Sequence, residues 1–140
     1  MKTFVKECRW GNFLLMRGDV VSSYADIYGE WSEMEVRLFQ MLLEPHSNIV
    51  EVGSNIGLHA VPLAKMCAKG KVVCLEPQRI MFQMLCANAA MNNLLNVFAY
   101  HAAAGETDGQ VMIETCDYDV TWNYGGFSID KGMSRVDKFP

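Results

Sequence analysis

The chain lacks most of what a membrane span, a disulfide scaffold or a phosphate cradle requires. None of its 140 residues lies in an apolar run near the roughly 20 that cross a bilayer, because Lys65, Lys69 and Lys71 interrupt the most hydrophobic region. The opening Met1-Lys2-Thr3-Phe4-Val5-Lys6-Glu7 has no apolar stretch of the kind that marks a secretory signal. Basic charge is short: twelve Lys plus Arg stand against sixteen Asp plus Glu, a formal net charge of −4. A nucleic acid partner therefore finds no overall attraction. The five cysteines (Cys8, Cys67, Cys74, Cys86, Cys116) are odd in number and form no Cys-x-x-Cys pair. They read as buried thiols of a cytoplasmic protein, and with His46, His59 and His101 they show no zinc-ligand spacing, so no metal is expected. Gly-Lys-Ser and Gly-Lys-Thr are both missing, which excludes a P-loop.

What is present is a 51% hydrophobic and 20% charged composition, that of one globular domain with a real core. Residues 1–30 read as an N-terminal hairpin and lead-in, with Gly11-Asn12 supplying the turn between two apolar stretches. Residues 31–140 read as the remainder. Ser32-Glu33-Met34-Glu35 is a capping-box pattern, and Val36, Phe39, Leu42 and Leu43 recur behind it at helical spacing, which predicts a helix over 32–43 ending before Pro45.

Asn48 to Val52 is a short apolar strand closed by Gly53. The helix predicted over 57–68 contains Pro62, which requires either a late start near His59 or a kink. Val72 to Leu75 is β-branched and unbroken, as in a strand buried on both faces. A second helix is predicted over 79–91, with Met81, Met84, Leu85, Cys86 and Ala89 turned inward, and a further strand over 96–100. Strand, helix, strand, helix, strand is the pattern of an α/β layer with a parallel sheet and right-handed crossovers. One more strand is predicted over 110–115, and an irregular loop or lid from Asp117 onward. Within that loop, the stretch from Trp122 to Ile129 either closes over a ligand or packs Trp122 and Tyr124 on the core.

The chemistry concentrates where strand meets helix. Glu51-Val52-Gly53-Ser54-Asn55-Ile56-Gly57 spans the carboxyl end of a strand and the following turn, where ligands gather in open parallel sheets. A dinucleotide fingerprint wants glycine at 53, 55 and 58, but Asn55 and Leu58 hold the later places. Glu76 ends the next strand, and a carboxylate there can accept both hydrogen bonds of a ribose diol. Together these features point to an adenosine-type ligand without a pyrophosphate. His59 and His101 have suitable intrinsic pKa for a base, but neither is assigned that role.

The runs Tyr28-Gly29-Glu30, Ile49 to Gly57, Val72-Val73-Cys74-Leu75-Glu76-Pro77, Asn88, Asn92 to Val97 and Ala103-Ala104-Gly105-Glu106 resemble the FkbM-type methyltransferases, a branch of the class I S-adenosylmethionine-dependent enzymes. The similarity extends through Asn123 to Ile129 and Arg135-Val136-Asp137. It implies a Rossmann-like parallel sheet with flanking helices, S-adenosylmethionine as cofactor, and a hydroxyl of a sugar or small molecule as acceptor. Glu51, Gly53, Ser54, Asn55 and Gly57 would line the methionine part of the cofactor. Glu76 would hold the ribose hydroxyls, with Pro77 and Ala103 near the adenine. The family has Asp and Ala where this chain has Glu51 and Ser54. It also continues into a strand bearing Lys-x-Asp-x-Glu-Gly, whereas this sequence stops at Pro140. The expectation is an incomplete C-terminal half, with the open sheet edge covered in a homo-oligomer.

Overall fold

A computed structural model describes residues 1–113 and 116–127. Strands β1 (Thr3–Cys8) and β2 (Gly11–Met16) form the antiparallel hairpin, with Cys8 opposite Gly11 and Thr3 opposite Met16. The turn runs through Arg9 and Trp10, earlier than the expected Gly11-Asn12. Gly11 alone takes a positive φ, 134°, while Asn12 already lies in the ladder.

Helix α1 (Val20–Tyr28) follows, an element the lead-in reading did not contain. Asp19 starts it by accepting the Ser22 amide at 2.7 Å, and Gly29 ends it in the left-handed conformation. Helix α2 (Glu33–Leu42) starts where expected, but the capping box is not made. Ser32 sits at φ 50° and its hydroxyl caps nothing, because that backbone turns the side chain away from the first-turn amides. Val36 is buried, while Leu42 points to solvent.

The sheet consists of β3 (Ile49–Val52), β4 (Val72–Leu75) and β5 (Val97–Tyr100), parallel and in that order. Helix α3 (Ala60–Met66) connects the first pair and α4 (Arg79–Met91) the second. His59 precedes α3, so Pro62 falls in the first turn, where the missing amide breaks no helical bond.

The register gives the two faces of the sheet different fates. Ile49, Val72 and Val97 share one face with Glu51, Cys74 and Ala99, and there Ala60, Leu63, Ala64 and Leu85 of the helices close the core. Val50, Val73 and Phe98 share the other with Val52, Leu75 and Tyr100. On that side Val50 is 67% exposed, Val52 61% and Tyr100 53%. β4 is therefore buried in alternation rather than on both faces, since the described helices pack on one side only. β3 forms one edge of the sheet, as expected.

A second core joins the hairpin to α4: Phe13, Leu15 and Met16 pack with Val21, Ala25, Ile56, Met81, Met84, Trp122 and Tyr124. Each of the larger aliphatic, Phe and Met side chains among them contributes on the order of 1.5–3 kcal/mol. Asn88, fully buried on α4, pins these layers together. It accepts the Leu14 amide at 2.6 Å and donates to the Leu14 and Ile56 carbonyls at 3.2 and 2.7 Å. Cys67, Cys74 and Cys116 are buried, but Cys8 is half-buried and Cys86 is exposed on the outer side of α4, so not all five thiols lie inside. Ala89 is only partly buried.

Residues 110–113 form no strand. Glu114, Thr115 and the expectations for residues 128–140, including Ser128-Ile129 and Arg135-Val136-Asp137, lie outside the described residues. Among the described residues, no helix is long and apolar enough to cross a membrane.

Candidate functional site

After Val52 the backbone turns through three left-handed positions, Gly53 (φ 76°), Asn55 (φ 49°) and Gly57 (φ 87°). The two glycines serve different ends. A Cβ built on Gly53 meets nothing within 4 Å, whereas one on Gly57 stands 2.8 Å from Leu85 Cδ1. Gly57 thus lets the turn settle onto α4, and Gly53 leaves room for a guest. The Gly53 and Ser54 amides donate to the Leu75 carbonyl at 2.8 and 3.1 Å, which ties the turn to β4.

Glu76 follows directly on β4 and is 3% exposed. Its amide donates to the Tyr100 carbonyl. Its carboxylate is held from two sides, Oε2 accepting the Asn55 amide at 2.8 Å and Oε1 the Gln78 amide at 2.7 Å. Each oxygen keeps a further lone pair for a guest. Burial pushes the Glu76 carboxyl above its ordinary range, against the pull of the two amides and of nearby His101.

Glu51 lies on the covered face of the sheet, where Cys74 Sγ donates to its Oε2 at 3.5 Å. Burial raises it to about 7, and the Glu76 charge adds to the rise while Ser54 and Cys74 oppose it. The same burial, with Glu51 beside it, pushes the Cys74 thiol up to about 12.

A cavity of about 250 Å³ opens between these strand ends. It brings together five of the eight expected site residues: Gly53, Asn55, Glu76, Pro77 and Ala103. The other three do not line it. Ser54 is 3% exposed and donates to the Glu51 carbonyl, Gly57 packs on Leu85, and Glu51 sits behind the turn. Through Pro77, Gln78 and Ala102 to Ala104 the cavity adjoins a larger one of about 850 Å³, which Arg79, His101 and Tyr118 also line.

Sequence reasoning missed Gln78; Gly125 and Phe127, which it placed in a stretch that either closes over a ligand or packs on the core, line the smaller cavity beside it. A Cβ on Gly125 would stand 2.5 Å from Asn55 Nδ2, so this glycine lies directly on the turn. The Gly125-Gly126 pair was the available signal. Trp122 and Tyr124 are buried, 8% and 0% exposed, so this part of the loop packs on the core.

His59 faces Phe39 and Glu35 and lines neither cavity; burial holds its pKa below the ordinary value. His101 stacks on Phe82, and its Nε2 lies 2.9 Å from the Pro77 carbonyl. Among the described residues, no group of three or more His, Cys, Asp or Glu is placed to hold a metal ion.

No protein-family model matches the chain, and no characterised protein matches it by sequence. Solved structures do match. TYW2 of P. horikoshii, in complex with MeSAdo, superposes with a TM-score of 0.55 at 18% identity, over 76% of this chain and 38% of its own. TYW2 of M. jannaschii, in complex with AdoMet, gives 0.52 at 19% identity, over 69% of this chain and 42% of its own. The fold is Rossmann-like, as it is in these structures. Coclaurine N-methyltransferase, bound to N-methylheliamine and SAH, gives 0.50 at 14% identity, over 56% of this chain and 24% of its own. At these identities the likeness is one of fold, and the chain spans at most about two-fifths of the length of these structures.

Proposed function

We propose that the crevice between Gly53 and Glu76 binds S-adenosylmethionine, and that the chain is the cofactor-binding part of an FkbM-type methyltransferase acting on a hydroxyl of a sugar or small molecule. The observation that carries this reading is the Glu76 carboxylate, fixed by two amides at the edge of a cavity whose other wall is an open Gly53. The residues fit the cofactor. Gly53 offers space, the buried Asn55 Oδ1 has no partner among the described residues and can accept from a guest, and Glu76 keeps acceptor capacity toward a diol. Pro77, Gln78 and Ala102 to Ala104 continue as an apolar and amide-lined slot that suits a flat base.

When bound, S-adenosylmethionine supplies a methyl group on a positively charged sulfur. This chain's residues hold and orient it, since an in-line displacement depends chiefly on alignment and on excluding water. The formal charge of −4 favours a small acceptor over a polyanion.

One observation favours a second reading, in which this chain binds the cofactor without turnover. Among the described residues, Glu76 is the only ionisable one lining the smaller cavity, and its carboxylate is fixed by two amides. No base for an acceptor hydroxyl is in place there among the described residues. Transfer of radiolabelled methyl from the cofactor to a panel of sugars separates the two. Incorporation supports the enzyme, and cofactor binding with no incorporation supports the second reading.

A further inference from the structure

Gln78 occupies the N-cap of α4, yet its side chain makes no capping bond. Glutamine is not a favoured cap, and here its amide is used elsewhere. Gln78 is 6% exposed. Its backbone amide donates to Glu76 Oε1 at 2.7 Å, and its Nε2 donates to the Tyr124 carbonyl, also at 2.7 Å. One residue therefore joins the carboxylate of the crevice to the 122–127 segment.

That segment has a second anchor. The Trp122 amide donates to the Gly18 carbonyl at 2.8 Å, and the Val20 amide donates to the Trp122 carbonyl at 3.2 Å. Just beyond these anchors Gly125 lies against Asn55, and Phe127 lines the cavity. The segment is thus held at Trp122 by the hairpin–α1 junction and at Tyr124 by Gln78, and the residues that form the wall of the crevice follow directly.

We propose that Gln78 is a positioning residue that couples occupancy of the Glu76 carboxylate to the seating of residues 122–127 over the crevice, an inference that rests on the cofactor reading above. A ligand that orders the carboxylate orders Gln78 and, through it, the Tyr124 carbonyl and the wall behind. A residue that breaks a local rule, as this non-capping N-cap does, commonly marks such a site.

The test is amide hydrogen exchange at Trp122 and Gly126 in the 140-residue chain, with and without S-adenosylhomocysteine. Calorimetry on the wild type comes first, and absence of binding there overturns the cofactor reading itself. Given binding, the ligand slows exchange of these amides in the wild type by about tenfold, within the range of ordinary site-to-site couplings. In Gln78→Met, which removes the donor at similar size, the protection measured at a ligand concentration that saturates the variant falls below about twofold. Where that variant does not fold, Gln78→Glu, which sets an acceptor against the Tyr124 carbonyl, is read the same way. A merely structural contact would raise exchange of the free and bound forms alike and preserve their tenfold ratio, and that result overturns the coupling.

Discussion

Alanine at Gly53 and alanine at Gly57 should have opposite consequences, although the two glycines are four positions apart and share a left-handed backbone. At φ 76° and 87°, a Cβ costs about 1–2 kcal/mol at either site. For Gly53→Ala the cost ends there, because the new methyl meets nothing within 4 Å. For Gly57→Ala the methyl falls 2.8 Å from Leu85 Cδ1 in the packed core, and overpacking adds roughly 1–3 kcal/mol. Urea unfolding followed by circular dichroism should therefore show a loss of roughly 1–2 kcal/mol for the first variant and roughly 2–5 kcal/mol for the second. Binding should reverse the order. Calorimetry with S-adenosylhomocysteine at a temperature where both variants are folded should find binding lost in Gly53→Ala, whose methyl enters the cavity, and retained in Gly57→Ala. Unchanged affinity in Gly53→Ala would refute the assignment of that space to the ligand.

Two further predictions concern buried polar groups. The Glu51 carboxyl is raised in the folded chain from 4.5 to about 7, so its neutral form contributes stability fully below pH 4.5, and that contribution is lost as pH rises through about 7. Glu51→Gln should match the wild type near pH 4.5 and exceed it by up to about 3 kcal/mol at pH 8, at 1.36 kcal/mol per unit; parallel melting curves across that window would contradict the burial argument. Asn88→Leu keeps the volume but leaves the Leu14 amide and the Leu14 and Ile56 carbonyls without their partner. Its urea midpoint should report a loss on the order of 3 kcal/mol or more, and a loss below about 1 kcal/mol would show that solvent or a local shift satisfies these groups.

Much of the fold was legible because the inner strands are short apolar runs between clear breaks. Ile49 to Val52, Val72 to Leu75, Val97 to Tyr100 and the helix Arg79–Met91 all fall where the pattern puts them. Helix α1 was missed because Val20-Val21-Ser22-Ser23 has low helical propensity, and the Asp19 cap and burial of Val21 and Ala25 decide the outcome instead. The Ser32 box failed for the converse reason, a sound local pattern overridden by a left-handed turn between α1 and α2. Residues 110–113 had strand-like composition but pair with no strand among the described residues.

In the site, Gly53, Asn55 and Glu76 were readable because a parallel strand's end fixes where they lie. Gln78 was not, and for Gly125 and Phe127 the sequence left a ligand cover and core packing both open. The place of those two depends on the return of the 122–127 segment to the turn, 46 residues beyond Gln78 at the Tyr124 contact, and no local pattern fixes that return.

The most direct test is isothermal titration of S-adenosylhomocysteine into the wild type and Glu76→Ala, with folding of the variant checked by circular dichroism because Glu76 also holds the Asn55 and Gln78 amides. The wild type should bind, and the variant should bind more weakly by about 1.5–3 kcal/mol, the worth of hydrogen bonds to a charged acceptor. A folded variant that binds as tightly as the wild type, or a wild type that releases no heat and shows no binding by a second method, would contradict the account.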